Sequence, residues 1–390
     1  MTSISRSLPL SADLVAQAEK RLPEILADIE RVITRETPSS DKEAVAAGAQ
    51  DFVDLLRERL GAVAEILTVE GTSHVRLRFG DGPARVVLLN HQDTVWPHGT
   101  LERLPFSITD GILRGPGSFD MLTGAIMSVH ATAILRENLG EDALNGLSIL
   151  VTGDEEIASL TSSDLIRAES AEAKAVYVME ASAGGALKLE RKGTSNYVLV
   201  FRGKASHAGL EPEKGINAGM ALALTLPLVA DLADSDAGTS VVPTVISAGT
   251  TSNTVPAEAR VDVDVRARTA VELERVDAQI RELAQNPQLE GSTTEVLGDI
   301  NRPPFEKVQS SALFERATAL SAQLGLPAPE GVSVGGASDG NFTAGDGIPT
   351  LDGLGAVGDG AHAEHEHAVV AEIAPRTALL AALIADQLQG

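Results

Sequence analysis

The sequence predicts an α/β protein with a mainly parallel central sheet, interrupted by a smaller α+β domain. Three observations carry this reading. Short, continuous apolar runs at 86–89, 147–151, 175–179 and 348–351 read as strands buried on both faces. Helical patterns at 41–60 and 124–139 precede the first run and separate it from the second. After about Gly193 the texture turns to alternating apolar and polar residues, which marks an antiparallel sheet with one wet face. At 390 residues the chain is long enough for two domains.

Taken in order, the run at 86–89 leads into Asn90-His91-Gln92-Asp93, and that at 147–151 into Thr152-Gly153-Asp154-Glu155-Glu156. The run at 175–179 ends on Glu180, and that at 348–351 on Asp352 and a glycine-rich loop. Ligands of open α/β sheets sit beyond the carboxyl ends of the strands, and here such ends carry His and carboxylates. In the second domain, 196–202 and 259–268 alternate, most clearly in Val261-Asp262-Val263-Asp264-Val265-Arg266. Helical stretches at 215–232 and 271–285 would cover the buried face. The chain returns near Pro304, with Pro303-Pro304 as a hinge. This places one domain at 1–193 and 304–390 and the other at 194–303.

Composition narrows the chemistry. Lys plus Arg is 31 against 55 Asp plus Glu, a net charge of −24 that repels phosphate backbones and argues against nucleic-acid binding. The absence of cysteine removes disulfides, thiolate nucleophiles and Cys-built zinc sites, so any metal must be held by His, Asp and Glu. Uncharged stretches at 218–230 and 377–385 are too short for a bilayer, and residues 1–20 lack the pattern of a signal peptide. No membrane partner and a cytoplasmic location are the expectations.

His91 leaves a buried strand with Asp93 two residues on, as a metal ligand with an orienting partner would. Asp120 follows a turn-rich approach, Gly115-Pro116-Gly117-Ser118-Phe119, into a helix. The three carboxylates Asp154-Glu155-Glu156 repel one another unless a cation is present. In a nearly extended segment their side chains diverge, so one Glu can bind metal while its neighbour stays a base. Charge balances as well. Two divalent cations are neutralised by Asp120, Glu156, Glu180 and one hydroxide, with His91 and His362 as neutral ligands.

The set His91-x-Asp93, Gly117-Ser118-Phe119-Asp120-Met121, Asp154-Glu155-Glu156, Glu180, Gly203-Lys204-Ala205-Ser206-His207-Ala208-Gly209 and Gly360-Ala361-His362 resembles the di-zinc exopeptidase family. That family includes carboxypeptidase G, acetylornithine deacetylase, succinyl-diaminopimelate desuccinylase and aminoacylase. The resemblance runs in order from about residue 20 to the C-terminus. It implies a phosphorylase/hydrolase-like zinc-peptidase catalytic domain, a ferredoxin-like dimerisation domain and a homodimer. It also implies two Zn2+ per subunit, with Co2+ or Mn2+ as substitutes. By resemblance His91 and Glu180 hold one zinc, Glu156 and His362 the other, and Asp120 bridges them. Asp93 would orient His91, and Glu155 would shuttle the proton from the attacking water to the leaving amine. His207 would reach the partner subunit's site to stabilise the oxyanion, with Asn253 as a companion contact.

Arg302 resembles the arginine that holds a substrate carboxylate, and Lys188 and the loop around Ser338 match carboxypeptidase G-like patterns. A small N-acyl amino acid or peptide is the implied substrate, with glutamate as the released residue. The chain departs from the family at Leu122 and Thr123, and by one extra residue in Arg191-Lys192-Gly193. An aminoacylase, deacetylase or dipeptidase is the alternative within this chemistry, and a non-catalytic binding protein the alternative outside it. His365 and His367 are not expected to ligate, His130 reads as a helix residue, and His74 and His98 as surface residues. Gly353-Leu354-Gly355-Ala356-Val357-Gly358 spells a dinucleotide fingerprint but lacks the helix that would follow it.

Overall fold

The structure, a computed structural model, describes residues 13–389. The signal-peptide reading and the domain start at residues 1–12 lie outside them. The chain divides into two units. Residues 13–190, Lys307–Val334 and 338–389 form the first, and Arg191–Glu306 with Gly335–Ala337 the second.

A six-stranded sheet organises the first unit, in the order Glu65–Val69, Thr72–Arg78, Leu147–Thr152, Val86–His91, Ala175–Val178, Thr350–Leu351. The last four run parallel. The first two form an antiparallel hairpin added to one edge, so the sheet is mixed. Continuous apolar runs have a simple cause here. Val86, Leu88, Leu147 and Ile149 pack into one core, while Val87, Leu89, Leu150 and Val176 pack into another on the opposite face. Helices Asp13–Ile33, Lys42–Leu60, Thr123–Leu139, Lys307–Gln323 and Val370–Gln389 contribute to the first core, Ser163–Ser170 and Gly340–Gly345 to the second.

Local signals set the ends of these elements. Asp41 caps Lys42–Leu60 by accepting the Glu43 and Ala44 N–H groups at 3.0 Å, and Gly61 ends the helix at φ 60. Every residue from Thr123 to Leu135 is buried, which explains why that helix is apolar all round. By length and composition Ser118–Leu139 could cross a bilayer, but it lies inside this unit. His74 is a correction: it is fully buried rather than on the surface, on a strand (TSHVRLR) whose buried Thr72, Ser73 and His74 break any apolar pattern. His98 is exposed and paired with Asp41. His130 is fully buried, with Nε2 2.8 Å from Asp28.

The second unit follows a β–α–β–β–α–β order, as a ferredoxin-like domain does. Its antiparallel sheet runs Ser240–Ala248, Glu258–Ala267, Gly193–Arg202, Thr293–Arg302. Helices Ala218–Ala230 and Ala270–Gln285 share its core. Glu258–Ala267 alternates as expected, with Ala259, Val261, Val263, Val265 and Ala267 buried. The outer strands are half-exposed and carry no such alternation. Around Pro303-Pro304 the backbone is fixed on both sides: Arg191 and Phe305 exchange N–H···O bonds of 2.9 and 3.0 Å. The segment is thus anchored by a single antiparallel bridge.

Candidate metal centre

The ends of the parallel strands deliver the chemistry. His91 is the last residue of its strand, Glu155–Ile157 forms a short 3-10 turn after Leu147–Thr152, and Glu180 lies just beyond Ala175–Val178. Asp120 comes from the turn Ser118–Leu122 that leads into Thr123–Leu139. His362 sits in a tight loop between the paired strands Gly358–Asp359 and His367–Val369, at φ 61. The acidic triplet is thus not the extended segment the sequence suggested. Asp154 bends it, accepting the Thr161 N–H at 2.6 Å and the Thr161 and Ser162 hydroxyls at 2.7 and 2.5 Å. The two glutamates still part: Glu155 shares a donor cluster with His91 and Glu180, Glu156 one with His91 and Asp120.

Distances within the cluster bear on what it holds. His91 Nε2 lies 3.4 Å from Asp120 Oδ1 and 3.6 Å from Glu180 Oε1. His362 Nε2 lies 3.4 Å from Asp120 Oδ2 and 3.1 Å from Glu156 Oε2. The two oxygens of Asp120 therefore face two different imidazoles. Ligands about 2.0–2.1 Å from a tetrahedral zinc stand roughly 3.3 Å apart, close to these separations. His91 Nε2 and Glu156 Oε1 are buried without a hydrogen-bond partner, an expensive state unless a cation receives their lone pairs. Nitrogen and oxygen donors without sulfur suit zinc or another borderline divalent ion. The donor set fits a pair of cations.

Electrostatics points the same way. Burial pushes the Asp120 carboxyl up, but the neighbouring His362 and His91 imidazoles outweigh it and hold the group well below the usual carboxylate range. Asp120 and then Glu156 push His362 up to about 10. Burial opposes charge on His91, yet Asp120 and Glu180 raise it well above the ordinary imidazole value. The cluster favours positive charge.

Around the donors, Asp93 divides its work. Its backbone carbonyl lies 2.9 Å from His91 Nδ1, while its carboxylate is 3.6 Å away. The carboxylate instead accepts the Ser39 hydroxyl at 2.7 Å and the Glu155 and Glu156 N–H groups at 3.1 and 3.2 Å. One residue orients the imidazole and fixes the acidic turn. Gly124 and Gly355 permit close approach to the Glu180 strand end: a Cβ on either would stand 2.0 or 2.1 Å from the Met179 carbonyl. That contact is the structural use of the Gly353–Gly358 loop.

The remaining sequence candidates fall in several places. Lys188 donates its N–H to the Asp352 carbonyl at 2.9 Å in the first unit. Ser338 is fully buried, its hydroxyl donating to Asp352 at 2.8 Å and accepting the Gly340 N–H at 3.2 Å. In the second unit, Arg302 is buried at the end of Thr293–Arg302, and Asn253 is exposed with its carbonyl accepting the Ala208 N–H at 2.9 Å. His207 is exposed, and its Nδ1 accepts the Gly209 and Leu210 N–H groups at 3.1 Å each, which leaves the ring proton on Nε2 as a donor. His365 is exposed, and its carbonyl lies 2.9 Å from His367 Nδ1. Among the described residues, neither belongs to a metal-capable group.

Sequence reasoning missed a supporting layer. His74 Nδ1 accepts the Gly153 N–H at 3.2 Å, and its Nε2 lies 3.1 Å from Thr161 Oγ1, so it braces the turn that carries Glu155. Glu366 and Trp96 pair behind Asp120. The one signal for this pair in the sequence was the spacing of Glu366 four residues after His362.

Residues 87–386 match the model of peptidase family M20/M25/M40. The chain belongs to that family. It is 30% identical over 387 residues to carboxypeptidase G2 of Pseudomonas sp. (strain RS-16), covering 96% of this chain and 91% of that one. It is 27% identical over 361 residues to the succinyl-diaminopimelate desuccinylase of Methylobacterium radiotolerans, covering 85% of this chain and 90% of the other. The fold is shared with an M20 family metallo-carboxypeptidase from Sulfolobus solfataricus: TM-score 0.71, 16% identity, 94% of this chain and 99% of that chain. It is also shared with a dinuclear metal binding peptidase of the M20 family from Bacillus subtilis: TM-score 0.63, 16% identity, 95% and 99%. The protein is an amide-bond hydrolase of the M20 family.

Proposed function

We propose that this M20 hydrolase holds two zinc ions per subunit and releases a C-terminal amino acid, glutamate first among them, from an N-acyl amino acid or small peptide. The observation that carries the reading is Asp120, whose two oxygens each lie 3.4 Å from a different imidazole, His91 and His362. Asp120 would bridge the ions, His91 and Glu180 completing one set and Glu156 and His362 the other. Bound there, the ions would supply Lewis acidity, polarising the scissile carbonyl and making water nucleophilic near neutral pH.

The protein's own groups do the rest. Glu155, buried beside His91 and Glu180, takes a proton from the attacking water as the C–O bond forms. It returns that proton to the amide nitrogen as the C–N bond breaks, so the products are a carboxylic acid and an amine, and the acid's remaining proton passes to the amine or to solvent. The Nε2–H of His207 donates to the oxyanion from the partner subunit, with Asn253 beside it, as the family resemblance implies. Arg302 clamps the substrate's free carboxylate with a planar fork, and Lys188 adds a second cation.

Dimerisation has its own support. Met220, Leu224 and Leu228 lie exposed at helical spacing on Ala218–Ala230, and Val242, Val245 and Ile246 are exposed on the edge strand Ser240–Ala248. An unpaired, apolar sheet edge is stable in water when a second copy covers it.

The test is a panel of N-acyl-glutamates, N-acetyl amino acids, dipeptides and N-succinyl-diaminopimelate. Highest kcat/KM for an N-acyl-glutamate supports the proposal, and highest kcat/KM for the succinyl substrate would replace it with a desuccinylase. Arg302→Ala should raise KM for the anionic substrate by about 10-fold or more, the value of one lost charged hydrogen bond. An unchanged KM removes Arg302 from the site.

A further inference from the structure

The geometry points to Glu366 as the positioning residue of the metal bridge, an inference that rests on the two-metal reading above. Glu366 is 3% exposed, and no lysine or arginine pairs with it among the described ion pairs. Four N–H groups converge on it instead. Oε2 accepts Trp96 Nε1–H at 2.7 Å and the Gly117 N–H at 3.0 Å; Oε1 accepts the Phe119 and Asp120 N–H groups at 2.8 and 3.1 Å. All the acceptor capacity of an ionised carboxylate is used, and a nest of backbone N–H groups is the kind of site that prefers an anion.

The consequence falls on Asp120. Its main chain is held by Glu366 while its two oxygens face His91 and His362. Glu366 lies on the same tight loop as His362, closed by the Ala363 and Glu366 N–H groups on the Gly360 and Ala363 carbonyls at 2.8 and 2.9 Å. One loop therefore brings a ligand of the second ion and fixes the residue that both ions share. Glutamine keeps the shape of Glu366 but turns an NH2 group toward two of the four donors, so the loop must move.

The experiment measures zinc affinity and stoichiometry of the full-length wild-type protein, Glu366→Gln and Glu366→Asp by chelator competition. Asp28→Asn serves as the control, since Asp28 is an equally buried carboxylate in a cluster with His130 and Arg59. Emission of Trp96, the chain's one tryptophan, is read in the same titration. Glu366→Gln should bind zinc about 10- to 100-fold more weakly, the usual cost of losing an outer partner. Its Trp96 should no longer respond to zinc, while Asp28→Asn keeps wild-type affinity. If Glu366→Gln does not accumulate, Glu366→Asp, shorter by one methylene, is read in the same way with the same expectation. Wild-type affinity and a wild-type Trp96 response in the folded variant would overturn the inference and leave the two-metal reading intact. Failure of the wild-type protein to bind zinc would overturn that reading, and this one with it.

Discussion

Two buried clusters in the first unit use the same side chains to opposite ends. In one, Asp28 accepts from His130 at 2.8 Å and from both sides of the Arg59 fork at 2.7 and 2.9 Å, with Arg21 Nη1 3.5 Å from the other nitrogen of His130. In the other, Asp120, Glu156 and Glu180 surround two imidazoles, and the described ion pairs of Asp120 and Glu156 are all with His91 and His362. The first cluster neutralises itself and staples three helices. The second leaves His91 Nε2 and Glu156 Oε1 without partners. Burial of an imidazole beside a carboxylate does not identify a metal site; an excess of acceptors does.

The largest effect that would sharpen this contrast is expected at Glu155. Glu155→Gln should lower kcat by about 10²- to 10⁴-fold, the usual worth of a general base, with zinc content unchanged. Full turnover in that variant would remove Glu155 from the proton path.

A smaller effect is expected in the self-neutralised cluster. Burial raises the Asp28 carboxyl, but His130 and Arg59 outweigh it and bring the group down to about 2. A lowered folded-state value means stability that is present above the unfolded value near 3.8 and is lost as pH falls toward 2. Asp28→Asn should therefore cost about 2 kcal/mol at pH 7 in urea unfolding and less at pH 3. Its zinc content and turnover should match wild type. A stability difference that grows on acidification would reverse the sign and break the comparison.

How much of this was legible in the sequence depended on where the signal came from. Strands buried on both faces announce themselves, so the runs at Val86–His91 and Leu147–Thr152 and the residues at their ends could be read directly. Thr72–Arg78 could not, because the polar residues it buries make bonds beyond its own sequence, as His74 does with Gly153 and Thr161. The outer strands of the second unit were hidden for the opposite reason: Ser240–Ala248 and Thr293–Arg302 are half-exposed, and little burial constrains their residues. At the site, the donor residues stood out as chemistry at strand ends. What holds them did not. Ser338 reads as a substrate contact in its loop motif, and nothing in that motif shows its bond to Asp352. Glu366 stands out only by its place four residues after His362, which does not show that it takes four N–H groups. Such roles come from contacts made in the folded chain, 14 residues apart for Ser338 and Asp352 and 270 for Glu366 and Trp96, which residue type and spacing do not encode.

The most direct measurement is a zinc titration of metal-free wild-type protein and Asp120→Asn, resolved into its two sites. Two equivalents per chain are expected for the wild type. In the variant both sites should weaken together, by more than about 100-fold, because losing a shared ligand exceeds the cost of losing an outer partner. A variant that keeps one site at wild-type affinity, or a wild-type chain that takes up a single ion, would contradict the account.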